Sequence, residues 1–238
     1  MSNLSIKNLS VFYGSAQVLH DVSFELGTEP IALVGRNGMG KTTLCNAIMG
    51  LIPTQSGSVR FKNETLTGLR PYQIVKNGLS YVPQGRRIFP SLTVHEHLKM
   101  LDPGKAAKWN IERIYSLFPR LNERRSSGAG KLSGGEQQML AIGRALLLNA
   151  NILIMDEPSE GLAPVVVDQV VDTVKQLAQE DIQLLVIEQK LAVAAELAER
   201  MLVMVNGRIA LETTSTEMLA DEAAQRRYLG VSPLEEGS

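Results

Sequence analysis

The chain has 238 residues, with 24 basic and 25 acidic side chains, a formal net charge of −1, 44% hydrophobic and 5% aromatic residues. That length buries a full core in one large domain, or in one domain with a sizeable insertion, and the composition excludes disordered, collagen-like and disulfide-scaffold classes. Balanced charge argues against nucleic acid held mainly by electrostatics, and no apolar run approaches the roughly 18 residues that span a bilayer. The opening Met1-Ser2-Asn3-Leu4-Ser5 is unlike a signal peptide, and the single cysteine, Cys45, has no internal disulfide partner. A cytoplasmic chain of one or two domains is expected.

Strand signals run from Leu4 to Phe12, from Val18 to Leu26, and over Ile31-Ala32-Leu33-Val34. The third is short, apolar at consecutive positions and followed by glycines, the pattern of a parallel strand buried on both faces. A helix follows from Lys41 to Met49, with Gly50 and Pro53 as its stop. Residues 85–145 change texture, with the only tryptophan (Trp109), His95, His97 and short helical patterns, and read as a small helical insertion. The α/β rhythm then returns with the strand Ile152-Leu153-Ile154-Met155. Val167, Val170, Val171, Val174 and Leu177 form one buried helical stripe. Leu184-Leu185-Val186-Ile187 is a further buried strand. Asn206-Gly207, between Leu202–Val205 and Ile209–Leu211, signals a hairpin with a type I′ turn. Strands alternating with helices predict an α/β fold with a mainly parallel sheet covered on both faces.

Gly35-Arg36-Asn37-Gly38-Met39-Gly40-Lys41-Thr42 fits G-x-x-x-x-G-K-[ST], between a buried strand and a helix, with Thr43 next in line. The glycines let successive backbone N–H groups face inward as an anion nest, and the helix N-terminus adds partial positive charge. Lys41 would reach the β- and γ-phosphates, and Thr42 would ligate Mg²⁺. A Rossmann dinucleotide site needs G-x-G-x-x-G, which these glycines do not supply. Downstream, the strand at Ile152 ends in Asp156-Glu157, placed for Asp156 to hold the magnesium shell and Glu157 to polarise an attacking water.

Leu132-Ser133-Gly134-Gly135-Glu136-Gln137-Gln138 starts a helix with a capping box, Ser133 at the N-cap and Glu136 three residues on. The glycine pair in its first turn is expected to leave the amides uncovered as a second anion site. With these elements in this order, the sequence resembles the ATP-binding subunit of an ABC transporter over essentially its whole length. The resemblance implies an ABC-type P-loop NTPase core with a mainly parallel sheet, an antiparallel β edge and a small helical subdomain. In domain terms it implies one cassette over residues 1–238 with residues 85–145 inserted. It further implies ATP and Mg²⁺ as cofactors, and a site in which Ser133, Gly134, Gly135 and Glu136 of one subunit cover ATP held by another. By the same resemblance Tyr13 stacks on adenine, and Gln84 contacts magnesium and links the core to the helical insertion. Ser159-Glu160-Gly161-Leu162-Ala163-Pro164 then touches the partner.

Pro83-Gln84-Gly85-Arg86-Arg87-Ile88-Phe89-Pro90-Ser91-Leu92-Thr93-Val94, the stretch Gly134 to Leu146, and Gly161-Leu162-Ala163-Pro164 are similar to the LivF-type ATPase of branched-chain amino-acid importers. The ATPase of urea and short-amide importers shares nearly the same strings. The LivF-type resemblance implies a second cassette as partner, LivG-like or a second copy. Permease subunits, an indirectly linked solute-binding protein and a place on the cytoplasmic membrane face follow from it, and nucleic acid does not. Gln189 stands where most of the wider family has a histidine that contacts the γ-phosphate, and Ala163 where most have aspartate. Glutamine donates a hydrogen bond but carries no proton or charge, so a low-turnover regulatory subunit is the alternative of another class. A small-molecule kinase is disfavoured by Ser133 to Gln138. His95 and His97, at i, i+2, point to different helix faces and read as surface or cap residues. Cys45 reads as packing, Arg86 and Arg87 as a solvated pair or a contact for an acidic partner, and Glu235-Glu236-Gly237-Ser238 as a frayed tail.

Overall fold

The computed structural model describes residues 3–230, so the tail at Glu235–Ser238 lies outside the described residues. In chain order the strands are β1 (Leu4–Tyr13), β2 (Ala16–Leu26), β3 (Ile31–Val34), β4 (Ser56–Phe61) and β5 (Glu64–Thr65). After them come β6 (Leu79–Val82), β7 (Ile152–Asp156), β8 (Gln183–Glu188), β9 (Arg200–Val205) and β10 (Arg208–Thr214). The helices begin with α1 (Lys41–Ile48), α2 (Pro71–Lys76), α3 (Val94–Lys99), α4 (Ile111–Leu117) and α5 (Pro119–Glu123). They continue with α6 (Gly134–Leu146), α7 (Pro164–Ala178), α8 (Leu191–Leu197) and α9 (Ser215–Ala220).

Two sheets result. An antiparallel one has the order β2-β1-β4-β5, and a larger one the order β10-β9-β3-β8-β7-β6. Within the larger sheet β9, β3, β8, β7 and β6 run parallel and β10 turns back beside β9. The uninterrupted apolar run of β3 has its expected cause. Ile31 and Leu33 enter one hydrophobic cluster, with α1 and the antiparallel sheet, while Ala32 and Val34 enter another on the opposite face with α8. A third cluster joins Val82, Leu153 and Val186 of the sheet to Leu140 and Ile142 of α6, Ile114 of α4, Trp109 and the valine stripe of α7.

The register decides what stands at the C-terminal edge of the parallel strands. Val34 pairs with Glu188, Asp156 with Ile187, and Val82 with Met155. The glycine-rich loop after β3, Asp156-Glu157 after β7, Gln189 after β8 and Gln84 after β6 therefore share one edge, where a parallel sheet binds its ligands. The Asn206-Gly207 hairpin turns as read, both residues at positive φ (46° and 71°).

Candidate functional site

The loop after β3 is bent at Gly38 (φ 79°) and Gly40 (φ 100°), and a Cβ at Gly40 would come within 3.0 Å of the Leu19 side chain. Lys41 opens α1 but folds back. Its Nζ donates to the carbonyls of Gly35 (2.7 Å) and Arg36 (3.1 Å) and pairs with Glu157 Oε1 at 3.2 Å. Both side chains are buried, so this is a desolvated pair that holds only because further hydrogen bonds complete it. Glu157 is fixed by a positive φ of 50° and by its N–H donating to the Ile187 carbonyl. Gln84 Nε2 donates to Glu157 Oε2 (3.3 Å) and to Glu160 Oε2 (2.8 Å). Asn37, Gly38, Gly40, Lys41, Thr42, Thr43, Gln84 and Glu157 line one cleft of about 290 Å³.

Asp156 lies beside this cleft with its carboxyl buried. Oδ2 accepts from the Tyr81 hydroxyl at 3.1 Å, and Oδ1 is enclosed without a hydrogen-bond partner. Burial raises the Asp156 pKa above the usual carboxylate value, with the Thr42 and Tyr81 side chains opposing that shift. Burial likewise pushes the Tyr81 phenol well up, which keeps it a donor. Among the described residues no three His, Cys, Asp or Glu side chains are grouped to hold a metal. A cation here would rely on hydroxyl, amide and phosphate oxygens with one carboxylate, a donor set that suits magnesium.

Not all of the sequence-derived site residues line this cleft. Ser133 Oγ accepts from the Glu136 N–H (3.2 Å) and the Glu136 carboxylate from the Ser133 N–H (2.8 Å), the expected capping box. Ser133, Gly135 and Glu136 line a different cleft, of about 500 Å³, with Leu117, Phe118, Met139 and Val166. The exposed glycine pair is corrected here. Gly135 is buried, a Cβ on it would fall 2.5 Å from Val166 Cγ1, and Gly134 lies under the Arg86 guanidinium. Tyr13 stands half exposed at the end of the β1–β2 hairpin, and Gln189 is exposed directly after β8. Arg36 contributes its carbonyl to Lys41 while its guanidinium lies against Gly230, and Gly35 passes so close to the Met204 carbonyl that a Cβ would sit at 2.5 Å.

A family model described as ABC transporter matches residues 19–160. The chain belongs to the ABC transporter family. The high-affinity branched-chain amino acid transport ATP-binding protein BraG of Pseudomonas aeruginosa is 41% identical to it, over 95% of this chain and 99% of its own length. A probable branched-chain amino acid transport ATP-binding protein, LivF, of Archaeoglobus fulgidus is 35% identical over 94% and 97%. The crystal structure of the ADP conformation of an ATP-binding cassette of an ABC transporter superposes with a TM-score of 0.83 at 27% identity, covering 97% of this chain and 98% of that one. The fold is thus that of an ABC ATPase cassette, and the cassette binds nucleotide and hydrolyses ATP. Membership of a transporter family also entails pairing of cassettes and permease partners.

Several residues that shape the cassette's site carry no motif of their own. Gly207 donates its N–H to the Met39 carbonyl (2.9 Å) and accepts from His20 N–H (2.9 Å), while Asn206 N–H meets the Met39 sulfur at 3.2 Å. The hairpin turn is thereby wedged between β2 and the phosphate loop, and a Cβ on Gly207 would lie 1.8 Å from the Val18 carbonyl. Arg86 is no solvated side chain. It donates to the Glu160 carbonyl (3.3 Å) and to Gln137 Oε1 (3.4 Å), from a backbone at φ 63° followed by Arg87 at φ 41°. Two successive non-glycine residues in the left-handed region store strain that neighbouring bonds must hold. Those bonds are Arg144 to the Arg87 carbonyl (3.0 Å) and Phe89 N–H to His97 Nε2 (2.9 Å).

His97 also departs from the surface or cap reading, for it is wholly buried and stacked on Phe89. Since Nε2 accepts, Nδ1 carries the proton and donates to the Thr93 carbonyl at 2.8 Å. Burial lowers its pKa accordingly. His95 remains exposed, against the Tyr115 hydroxyl. Glu188, which no motif marks, is buried with its pKa raised by that burial and accepts from the Ser159 N–H at 3.1 Å, which ties β8 to the segment after β7. Cys45 is packing as expected, its thiol pushed up by burial and by the nearby Asp156.

Proposed function

We propose that this cassette converts Mg·ATP binding and hydrolysis into import of a branched-chain amino acid, as one of two cassettes docked on permease subunits at the cytoplasmic face of a membrane. The single observation that carries the paired arrangement is the separation of Lys41 and Ser133 into different clefts of the same chain. A nucleotide on Lys41 has no access to Ser133 of its own chain within one cleft, whereas a second cassette facing it head to tail presents a helix N-terminus to the outer phosphate. The solute class rests on the full-length likeness to BraG and LivF. Among the described residues no helix is long and apolar enough to cross a membrane, which suits a peripheral subunit. The partner cassette is LivG-like, or a second copy when the chain is alone, and a solute-binding protein acts through the permease.

The chemistry follows from residues on one sheet edge. Thr42, Gln84 and Asp156 are the groups that would hold magnesium, which would supply positive charge to offset that of the phosphates. The orphaned Oδ1 of Asp156 fits that role. The loop amides from Gly35 to Thr43 and Lys41 bind the phosphates, and Tyr13 stacks on the base. As Lys41 turns to phosphate it gives up Glu157, which Gln84 still orients. Glu157 then accepts the proton of the attacking water, and Gln189 donates to the γ-phosphate. Ser133, Gly134, Gly135 and Glu136 close the partner's site. Residues 85–145 act as the helical subdomain of a single cassette over residues 1–238. Its entry segment, with Arg86, Arg87 and Arg144 beside Leu51 in one groove, suits an acidic, apolar-faced permease segment.

The test is ATPase of the purified complex reconstituted with its permease and solute-binding protein. Leucine, isoleucine or valine should stimulate hydrolysis, and Lys41→Ala should abolish it. Stimulation by urea or a short amide instead would move the cassette to that importer, and solute-independent binding without turnover would make it a regulatory subunit.

A further inference from the structure

Tyr81 belongs to none of the sequence elements that define the nucleotide site, yet its hydroxyl donates to the Asp156 carboxylate at 3.1 Å, and its side chain and that of Thr42 both act on that carboxyl. It lies on β6 opposite Ile154 of β7, two residues short of Asp156, so adjacent parallel strands set the distance between phenol and carboxylate. The bond is asymmetric. Oδ2 is occupied by the Tyr81 hydroxyl at 3.1 Å, and Oδ1 is left enclosed and unpartnered.

An aspartate carboxylate turns easily about its terminal torsion, so its orientation is decided by what bonds to it. We propose that Tyr81 is a positioning residue for the cation-binding step: its hydroxyl locks Oδ2 and thereby presents Oδ1 to the divalent cation that accompanies ATP. This rests on the reading of Asp156 as a magnesium-holding group. Outer-shell hydrogen bonds of this kind fix a ligating carboxylate, and their loss weakens metal binding without removing a ligand. The tyrosine ring is half-buried, and phenylalanine keeps its packing while deleting only the donor.

The experiment is titration of the isolated chain with a fluorescent ATP analogue, in excess EDTA and across a Mg²⁺ series, for wild type, Tyr81→Phe, Asp156→Asn and the double variant. Wild type should bind more tightly with Mg²⁺. In Tyr81→Phe the Mg²⁺ midpoint should rise about 10-fold, the lower end expected for losing an outer-shell partner, while affinity in EDTA stays at the wild-type value. Excess Mg²⁺ should restore kcat in the assembled ATPase, and adding Tyr81→Phe to Asp156→Asn should change nothing further. Should Tyr81→Phe melt before it can be titrated, Tyr81→Leu, which also lacks the donor, should give the same midpoint shift. An unchanged midpoint, or an equal loss with and without Mg²⁺, would overturn the role of Tyr81 while leaving the magnesium reading intact. A wild-type chain whose affinity ignores Mg²⁺ would remove both.

Discussion

In the Lys41 cleft the polar and charged groups bond to one another across the ends of β3, β7 and β6 on one sheet edge, whereas around Ser133 the polar groups close on their own helix. Lys41, Glu157 and Gln84 follow β3, β7 and β6 and make a chain of contacts, in which Lys41 would exchange Glu157 for phosphate while Gln84 keeps Glu157 in place. Ser133 and Glu136, three residues apart, bond reciprocally at the start of one helix and need exchange nothing. The difference teaches which half responds to ligand. On the proposed function the first half rearranges on binding, and its ion pair is a held position for Glu157. The second is a rigid platform, fixed by the capping box, by Gly135 under Val166 and by Arg86 over Gly134.

The contrast breaks most severely at Lys41. Lys41→Ala leaves Glu157 buried beside Gln84 without its cation, and should cost about 3 kcal/mol in a denaturant melt besides abolishing nucleotide binding. Adding Glu157→Gln should recover most of that stability and none of the activity. Gly207→Ala comes next, because a Cβ would press on the Val18 carbonyl from a left-handed backbone. It should destabilise by about 2 kcal/mol and also weaken ATP binding, since the turn holds the Met39 carbonyl of the phosphate loop. On the platform side, Gly135→Ala should cost about 1–2 kcal/mol through the clash with Val166. Val166→Ala should relieve that loss, and the isolated chain's ATP affinity should stay constant throughout.

The smallest effect concerns pH. The folded chain holds His97 neutral, with its pKa below the unfolded value of about 6.5. The unfolded chain therefore takes up the proton first, and stability falls as pH drops below about 6.5. Protonated Nε2 would confront the Phe89 N–H and loosen the strained Gly85–Arg87 turn. Melts from pH 7.5 to 5.5 should show wild type losing more than His97→Gln, and equal slopes would remove the role assigned to the imidazole.

Much of this was legible from the chain alone, for local reasons. The β3 strand announces itself because burial on both faces demands consecutive apolar residues, and the phosphate loop because only glycine tolerates its φ angles. Asn206-Gly207 is legible as a turn, and Ser133 with Glu136 as a cap, because both motifs close within four residues. What stayed hidden depends on distant elements meeting. Gly135 looks like an open helix start until Val166 of α7 is placed on it. His97 and Arg86 read as surface residues because charge and polarity usually mean solvent, yet here they hold a strained loop. The bond from Tyr81 to Asp156 follows from the order of β6 and β7 in the sheet, which no local pattern states.

The separation of duties between the two clefts is tested most directly by Ser133→Arg, measured twice: ATP affinity of the isolated chain, and ATPase of the assembled pair of cassettes. If Ser133 serves a nucleotide held by the other cassette, as proposed, affinity should equal that of wild type while hydrolysis is lost. Affinity falling together with hydrolysis would show that both half-sites act on one nucleotide within the same chain, and would contradict the paired arrangement.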